Sequence, residues 1–447
     1  MNLKLPLLTL ILLALSWFTP ASARLNIEIT GGLEGGIPIA IVPFAPPDGA
    51  ALPEDIAAIV TADLGRTGLF STMPRDKMTQ FPNNGKDIDF THWRAQAMDN
   101  IVVGRILPDA RQGAGGYQIE FQLFDSSRRS QLSGFSFQAN NNTLRLVAHQ
   151  ISDIIYKQLT GVRGSFNTHI SYIMAEDVIT DKRLYRLAVA DSDGFNEKIV
   201  LTSKHPLMSP AWSPNGKQLA YVSFEEGRSM IYLQELATGK RQLIASYPGI
   251  NSAPRWSPDS KRLAMALSRD GNSEIYTLTL DSKKLERVTN SYAIDTEPDW
   301  HPSGKSLLFT SDRGGGPQIY TIGIDANGAA IGQPQRITFE GKYNARGTFS
   351  PDGNLIAFIH GRDNSYRVAV QDLQRGTMRI LTKSYLDESP SFSANGIMLI
   401  YATEHNHRGV LSSVSVDGRA STRLNVTRGD VREPAWSPYL LPESQGN

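Results

Sequence analysis

Ser209-Pro210-Ala211-Trp212-Ser213-Pro214-Asn215-Gly216-Lys217 decides the fold, because the chain keeps returning to it. The next copy, from Ala253 to Lys261, reads APRWSPDSK, and the third, from Glu297 to Lys305, reads EPDWHPSGK. Later copies are TFSPDG from Thr348, SPSFSANG from Ser389 and EPAWSP from Glu433. The aromatic falls at 212, 256, 300, 349, 392 and 436, so the steps are 44, 44, 49, 43 and 44. A period in the low-to-mid forties with strand-like content is the size of one four-stranded propeller blade.

Each copy carries the chemistry of a strand–turn–strand unit. Asn-Gly, Asp-Gly or Ser-Gly lets the backbone reach positive φ in a tight turn. An apolar run follows, as in residues 217–223 and 354–360, and then an alternating strand such as residues 274–280. Only 11 residues follow Trp436, too few for three more strands. The missing strands are found before the first motif, at residues 170–175, 184–189 and 198–202. The chain's last strand is therefore expected to complete its first blade, which closes the ring and removes sheet edges. The row of motif tryptophans reads as packing between blades, since its position is tied to the repeat.

Working outward, residues 1–23 have Lys4 before an apolar run and end in Ala21-Ser22-Ala23. That pattern predicts a secretory signal peptide cleaved after Ala23. The apolar run is too short to span a bilayer as a helix, which takes about 20 residues. Residues 24–165 lack the repeat. A strand at 37–44 precedes a helix opened by Pro53-Glu54-Asp55, with Ile56, Ile59, Val60 and Leu64 on its apolar stripe. A second helix is expected over 90–98 and strands over 101–106, 117–124 and 131–137. A long helix capped by Asn142-Thr143 ends at Gly161. The predicted architecture is multidomain: a signal peptide (1–23), a small mixed α/β domain (24–165), and a WD40-like six-bladed β-propeller (166–447) closed by its C-terminal strand.

Composition excludes several chemistries. With no cysteine there are no disulfides, thiolate zinc sites, iron–sulfur clusters or thiol nucleophiles. The 45 basic and 44 acidic residues leave a formal +1, and removal of Lys4 with the leader leaves 44 of each. That balance argues against a polybasic nucleic-acid binder. No G-x-S-x-G elbow occurs. Gly113-Ala114-Gly115-Gly116 lies between two strands and reads as a hairpin, not a dinucleotide fingerprint. His405 and His407 have no evident third ligand and read as a loop. The acids give no separable acid/base pair. No cofactor and no metal is expected.

In a propeller the segments entering the innermost strands surround one mouth of the central channel. The repeat therefore places Met208 and Ser209, then Asn251, Ser252 and Ala253, then Asp295, Thr296 and Glu297 in one ring. Asn344 and Arg346, Asp387 and Glu388, and Arg432 and Glu433 complete it. This polar rim suits a macromolecule that inserts a loop. After Arg24, the residues Leu25, Asn26, Ile27, Glu28 and Ile29 alternate like an edge strand, with glycines behind them.

Signal peptide, α/β domain and repeats together resemble the TolB family, the periplasmic propellers of the Tol–Pal envelope system. The more specific landmarks are Pro43-Phe44, residues 53–56, 207–214, 296–298 and 386–388, and the terminal PAWSPYL from Pro434. The resemblance covers the whole chain. It implies a non-enzymatic, monomeric protein that binds the lipoprotein Pal at the channel mouth, most securely through Ala253, Thr296 and Glu297. It also implies contact with TolA through Arg24 to Ile29, other outer-membrane lipoproteins as further partners, and use of the system by colicins and filamentous phage. The departures from the repeat fall at Ser260, His301, Gly347 and Ala394, and Gly347 replaces the motif proline beside Arg346. The competing reading is an exported propeller hydrolase acting on peptide or glycan.

Overall fold

The structure, a computed structural model, describes residues 35–45, 52–109, 115–176, 183–426 and 428–440. The signal-peptide expectation, Ala23 included, and the segment Arg24 to Ile29 lie outside the described residues.

The N-terminal domain is a five-stranded mixed sheet built from β1 (Ile37–Ile41), β2 (Phe70–Thr72), β3 (Asn100–Pro108), β4 (Gly116–Asp125) and β5 (Ser130–Asn140). Their order is β2-β1-β3-β4-β5. Helices α1 (Ile56–Arg66) and α3 (Leu144–Thr160) cover one face. Their apolar stripes, Ile56, Ile59, Val60 and Leu64 on α1 with Leu144, Ala148, Ile151 and Ile155 on α3, share one core with Ile39, Ile41, Val102, Ile119 and Phe121. The short α2 (Phe90–Ala95) buries Trp93 against the other face, beside Ile101 and Val103. Glycine is required at 104, where a Cβ would lie 2.5 Å from the Phe44 ring.

Three details differ from the sequence reading. Asp55 caps α1 from outside, accepting from the Ala58 N–H at 3.0 Å, so the helix starts at Ile56 rather than at the proline. The Thr143 hydroxyl does not cap α3, because it is engaged backwards with the Asn140 N–H at 2.9 Å. Strand β2 has three residues, too few to show any periodicity, and pairs parallel to β1.

The propeller has six antiparallel four-stranded sheets. The first blade takes its inner strand from the chain's end: Asp430–Trp436 pairs with His169–Glu176, which continues to Leu184–Asp191 and Lys198–Ser203. The inner strands of blades two to six are Leu207–Trp212, Asn251–Trp256, Asp295–Trp300, Tyr343–Phe349 and Asp387–Phe392. The motif aromatics are at most 9% exposed and pack among the apolar second and third strands. Burying one such side chain is worth roughly 1.5–3 kcal/mol. Trp212 also donates Nε1–H to the Ala435 carbonyl of the preceding blade at 3.1 Å.

The departures from the repeat have local causes. In the regular turn, Ser213 donates to Asn215 and accepts from the Gln218 N–H, while Gly216 takes φ +69°. His301 substitutes for the serine by pairing Nδ1 with the Ser303 hydroxyl, two residues on, at 2.8 Å. Ser260 stands where glycine is usual and adopts φ +61°. Gly347 answers a larger neighbour: a Cβ there would lie 2.9 Å from Leu308 and 3.2 Å from Ile319. Leu308 pairs with Asp299 in the register that Ala220, Ala264 and Ala357 hold in other blades. Bulk on blade four is thus matched by its removal on blade five.

The N-terminal domain rests on the propeller end where the inner strands finish. Ser165 on the linker donates to Asn395 in a motif turn at 3.1 Å, and Asn395 donates back to the Arg163 carbonyl at 3.0 Å. Trp436 donates to Thr168 at 2.8 Å. The opposite end of the channel, where the inner strands begin, faces away from this domain.

Candidate functional site

Every inner strand has a register break two to four residues into its course. At each break one residue sits in left-handed backbone: Ser209, Ala253, Glu297, Arg346, Ser389 and Glu433, with φ from +50° to +55°. None is glycine, so each position carries backbone strain of about 1–3 kcal/mol. In five blades proline follows, and proline has no N–H for the broken ladder to leave unpaired. The bulge turns the side chain of these six residues toward the axis, where they form the throat of the channel.

The throat is held by one arginine. Arg346 donates Nε to Glu297 Oε1 at 2.9 Å, hydrogen-bonds Ser389 through Nη1, and reaches Glu433 Oε1 across the channel at 3.4 Å. Glu297 also accepts from the Arg346 N–H and the Thr310 hydroxyl, both at 2.9 Å, and Glu433 accepts from the Ser209 N–H. Burial works against the Arg346 charge, but Glu433, Glu297 and Glu388 outweigh it and raise its pKa above the ordinary arginine value. On the side toward the N-terminal domain the throat opens into a cavity of about 360 Å³, walled by the motif tryptophans and prolines. There Asp299 accepts from Thr348 at 3.0 Å and the Phe349 N–H at 2.9 Å, with Arg255 at 3.7 Å.

Above the throat lie Met208, Ser252, Thr296, Glu388 and Arg432, all half-buried or exposed. Arg432 bridges Glu388 at 3.3 Å and Asp430 at 3.1 Å. The ring read from the sequence needs a correction at its first position. Asn251, Asp295, Asn344 and Asp387 are buried and turned away from the channel into the surrounding blades and loops. Asn251 accepts from the Tyr247 N–H at 2.9 Å and donates to the Tyr247 carbonyl at 2.8 Å. Asn344 donates to Gln318 and to the Glu340 carbonyl, each at 2.8 Å. Asp387 accepts from Thr382 and Ser384. Asp295 takes Arg313 at 2.6 Å, and burial pushes its carboxyl pKa up against that pairing. These four brace the loops behind the mouth; they do not face it. His405 and His407 also part company: His405 meets Arg423 at 3.1 Å, and the fully exposed His407 pairs with Glu404 at 3.3 Å.

The structure adds a feature that the polar ring concealed. Large apolar side chains stand exposed in the segments just before the inner strands: Ile250, Tyr292, Ile294, Phe339, Tyr385 and Leu386, with Met208 beside them. Tyr385 and Phe339 each keep 70% or more of their surface in water. Monomeric surfaces seldom gather such residues in one place, and doing so around a polar centre marks a binding face. The sequence signal was present, since these residues recur at one point of the repeat. It was diluted because their offsets from the bulge residue vary from blade to blade.

Comparison with known proteins agrees with this architecture along the chain. The family model described as TolB amino-terminal domain matches residues 25–132, and that described as TolB beta propeller domain matches residues 156–440. A protein named Tol-Pal system protein TolB from Xanthomonas campestris pv. campestris (strain B100) is 53% identical over 435 residues, covering 97% of each chain. Its namesake from Xanthomonas oryzae pv. oryzae (strain MAFF 311018) is 52% identical over the same length, again with 97% of each chain covered. The crystal structure of TolB from Acinetobacter baumannii superposes with a TM-score of 0.83 at 41% identity, covering 93% of this chain and 100% of that one.

Proposed function

The chain belongs to the TolB family of Tol–Pal system proteins, and on that premise we propose that it is a non-catalytic periplasmic adaptor. It binds Pal at the channel mouth and TolA through Arg24 to Ile29, supporting outer-membrane integrity and envelope constriction at division. The observation that carries this reading is the apolar crown around the charged throat. Tyrosines on the crown and an arginine in the throat that it surrounds are residue types that dominate interface energetics. An inserted loop would meet Thr296 at the rim, then Ala253 and Glu297 on one side of the throat and Ser209, Ser389 and Glu433 on the other.

The hydrolase reading is weaker because Glu297 and Glu433, the acids of the throat, are both engaged by Arg346. A general acid or base needs a carboxyl within reach of substrate, not one holding a guanidinium. The test is calorimetric titration of the leaderless protein with the periplasmic domain of its own Pal. Saturable binding is expected, and Thr296→Ile should weaken it at least about tenfold, since removing a rim hydroxyl and adding bulk disturbs complementarity by about 1.4 kcal/mol or more. Thr296 takes no part in the throat's ion pairs, so the variant should fold normally. Equal affinity for both proteins would overturn the assignment. Deleting residues 24–35 should abolish TolA binding and shift Pal affinity, because coupling between two sites is reciprocal.

A further inference from the structure

Between the domains lies a buried charge cluster that the partner-binding face does not use. Asp63 and Arg66 come from α1, Arg145, His149, Ser152 and Asp153 from α3, and Asp191 to Asp193 from the turn between the third and fourth strands of the first blade. His149 is 2% exposed. Its Nδ1 meets Asp63 Oδ2 at 2.7 Å, and the same oxygen accepts the Ser152 hydroxyl at 2.7 Å. Across the interface Arg145 binds Asp191 at 3.0 Å and Asp193 at 2.6 Å, and Arg66 donates to Ser192 at 2.8 Å. Asp63, His149 and Asp193 approach closely enough to suggest a metal site, with ligand atoms within 4.8 Å of one another. The arginines supply the cations there: Arg66 sits 3.2 Å from Asp63 while Arg145 holds Asp193.

The free nitrogen of His149 is the part that can change. Nε2 lies 3.9 Å from Asp191 and from Asp193, both on the propeller, and 3.5 Å from Arg145 Nη2. A neutral ring that donates Nδ1–H to Asp63 offers Nε2 only as an acceptor, and among the described residues the donor facing it is Arg145 of its own helix. A charged ring turns Nε2 into a donor aimed at two carboxylates of the other domain. Among the described residues five acids face this cluster, Glu54, Asp63, Asp153, Asp191 and Asp193, against two permanent cations, Arg66 and Arg145. His169 adds a third basic group, 4.0 Å from Asp191, but burial lowers its pKa below the ordinary histidine value. We propose that His149 is a proton-operated latch, tying the N-terminal domain to the first propeller blade when charged and loosening that tie when neutral.

The titration runs in the required direction. Burial opposes the His149 charge, yet Asp63 and Asp193 outweigh it, so its pKa is raised above the ordinary histidine value. Asp63 belongs to the same domain and keeps its hold on the ring when the domains part, so the share that docking supplies is that of Asp193; this share favours docking below the undocked pKa and is lost as pH rises through the docked value. Asp153, whose carboxylate takes the linker N–H groups of Phe166 and Asn167, is pushed up to about 6, chiefly by burial. It weakens docking in the same sense, but over a lower window, between ordinary carboxyl values and about 6.

The chain has no cysteine, so Arg128→Cys with Arg375→Cys gives one spin-label pair across the domains at well-exposed sites. Interdomain distances are recorded from pH 6 to pH 9. The expected result is one narrow distribution at pH 6 and a second, longer population that grows by up to tenfold per pH unit within the titration window. His149→Gln should show no such pH response, and Asp193→Asn should reduce it while leaving the His149–Asp63 pair intact. A distribution unchanged from pH 6 to pH 9 would overturn the latch without any variant. So would an equal pH response in His149→Gln.

Discussion

Glu297→Lys is expected to abolish Pal binding and to lower propeller stability by about 3 kcal/mol. The lower end of the range for breaking a buried ion pair applies, because Glu297 keeps 25% of its side chain exposed and Arg346 29%. The substitution removes the acceptor of three hydrogen bonds, from the Arg346 side chain, the Arg346 N–H and the Thr310 hydroxyl. It also places a second cation beside Arg346. Glu433, at 3.4 Å, and the more distant Glu388 must then neutralise two positive charges. Glu297→Gln retains a carbonyl acceptor and should lose less than about half as much, since a typical hydrogen bond nets about 1 kcal/mol. Urea unfolding monitored by tryptophan fluorescence reads the stability change, and titration with Pal reads the binding. A Glu297→Lys protein that unfolds at the wild-type midpoint would show that the throat network is dispensable.

The second large effect is predicted at the crown. Tyr292→Ala with Tyr385→Ala should weaken Pal binding by about 10³-fold if each tyrosine acts as a hot spot of about 2 kcal/mol. The two residues precede the inner strands of blades four and six, on different sides of the mouth, so their contributions should add. Stability should change by less than about 0.5 kcal/mol, the norm for exposed positions. Tyr292 is fully exposed, and the backbone contact of Tyr385, its carbonyl accepting from Tyr366 at 2.9 Å, survives truncation. Retained affinity together with an unchanged melting temperature would place the partner elsewhere. The contrast with Glu297→Lys separates direct contact from collapse of the throat, because only the latter should destabilise the fold.

Much of this architecture can be read from the residues. The motif around Trp212 carries its own turn chemistry, and counting strands after Trp436 predicts closure by the last strand, which pairs with His169–Glu176. A repeat reports geometry well because each copy restates it. The same repetition misleads at Asn251, Asp295 and Asp387. They are polar and sit beside the channel in the register, yet a strand alternates its faces, and these positions turn inward to brace neighbouring loops. The bulge then reverses what alternation alone predicts for the next residues. No local pattern announces a left-handed residue at Arg346 or Glu297, because glycine, the usual marker, is absent. The domain interface was equally hidden. Asp63 and His149 lie 86 positions apart and Arg145 and Asp193 lie 48 apart, and nothing in either segment names its partner.

The partner is expected on the end of the propeller facing away from the N-terminal domain. Hydrogen–deuterium exchange of the leaderless protein with and without Pal tests it most directly. Protection is predicted in the segments that lead into the inner strands, around residues 208–209, 250–253, 292–297, 339–346 and 385–389. The motif turns at 213–216 and 393–396 should be unchanged. Protection confined to those turns, or to the outer faces of the N-terminal domain, would contradict the account.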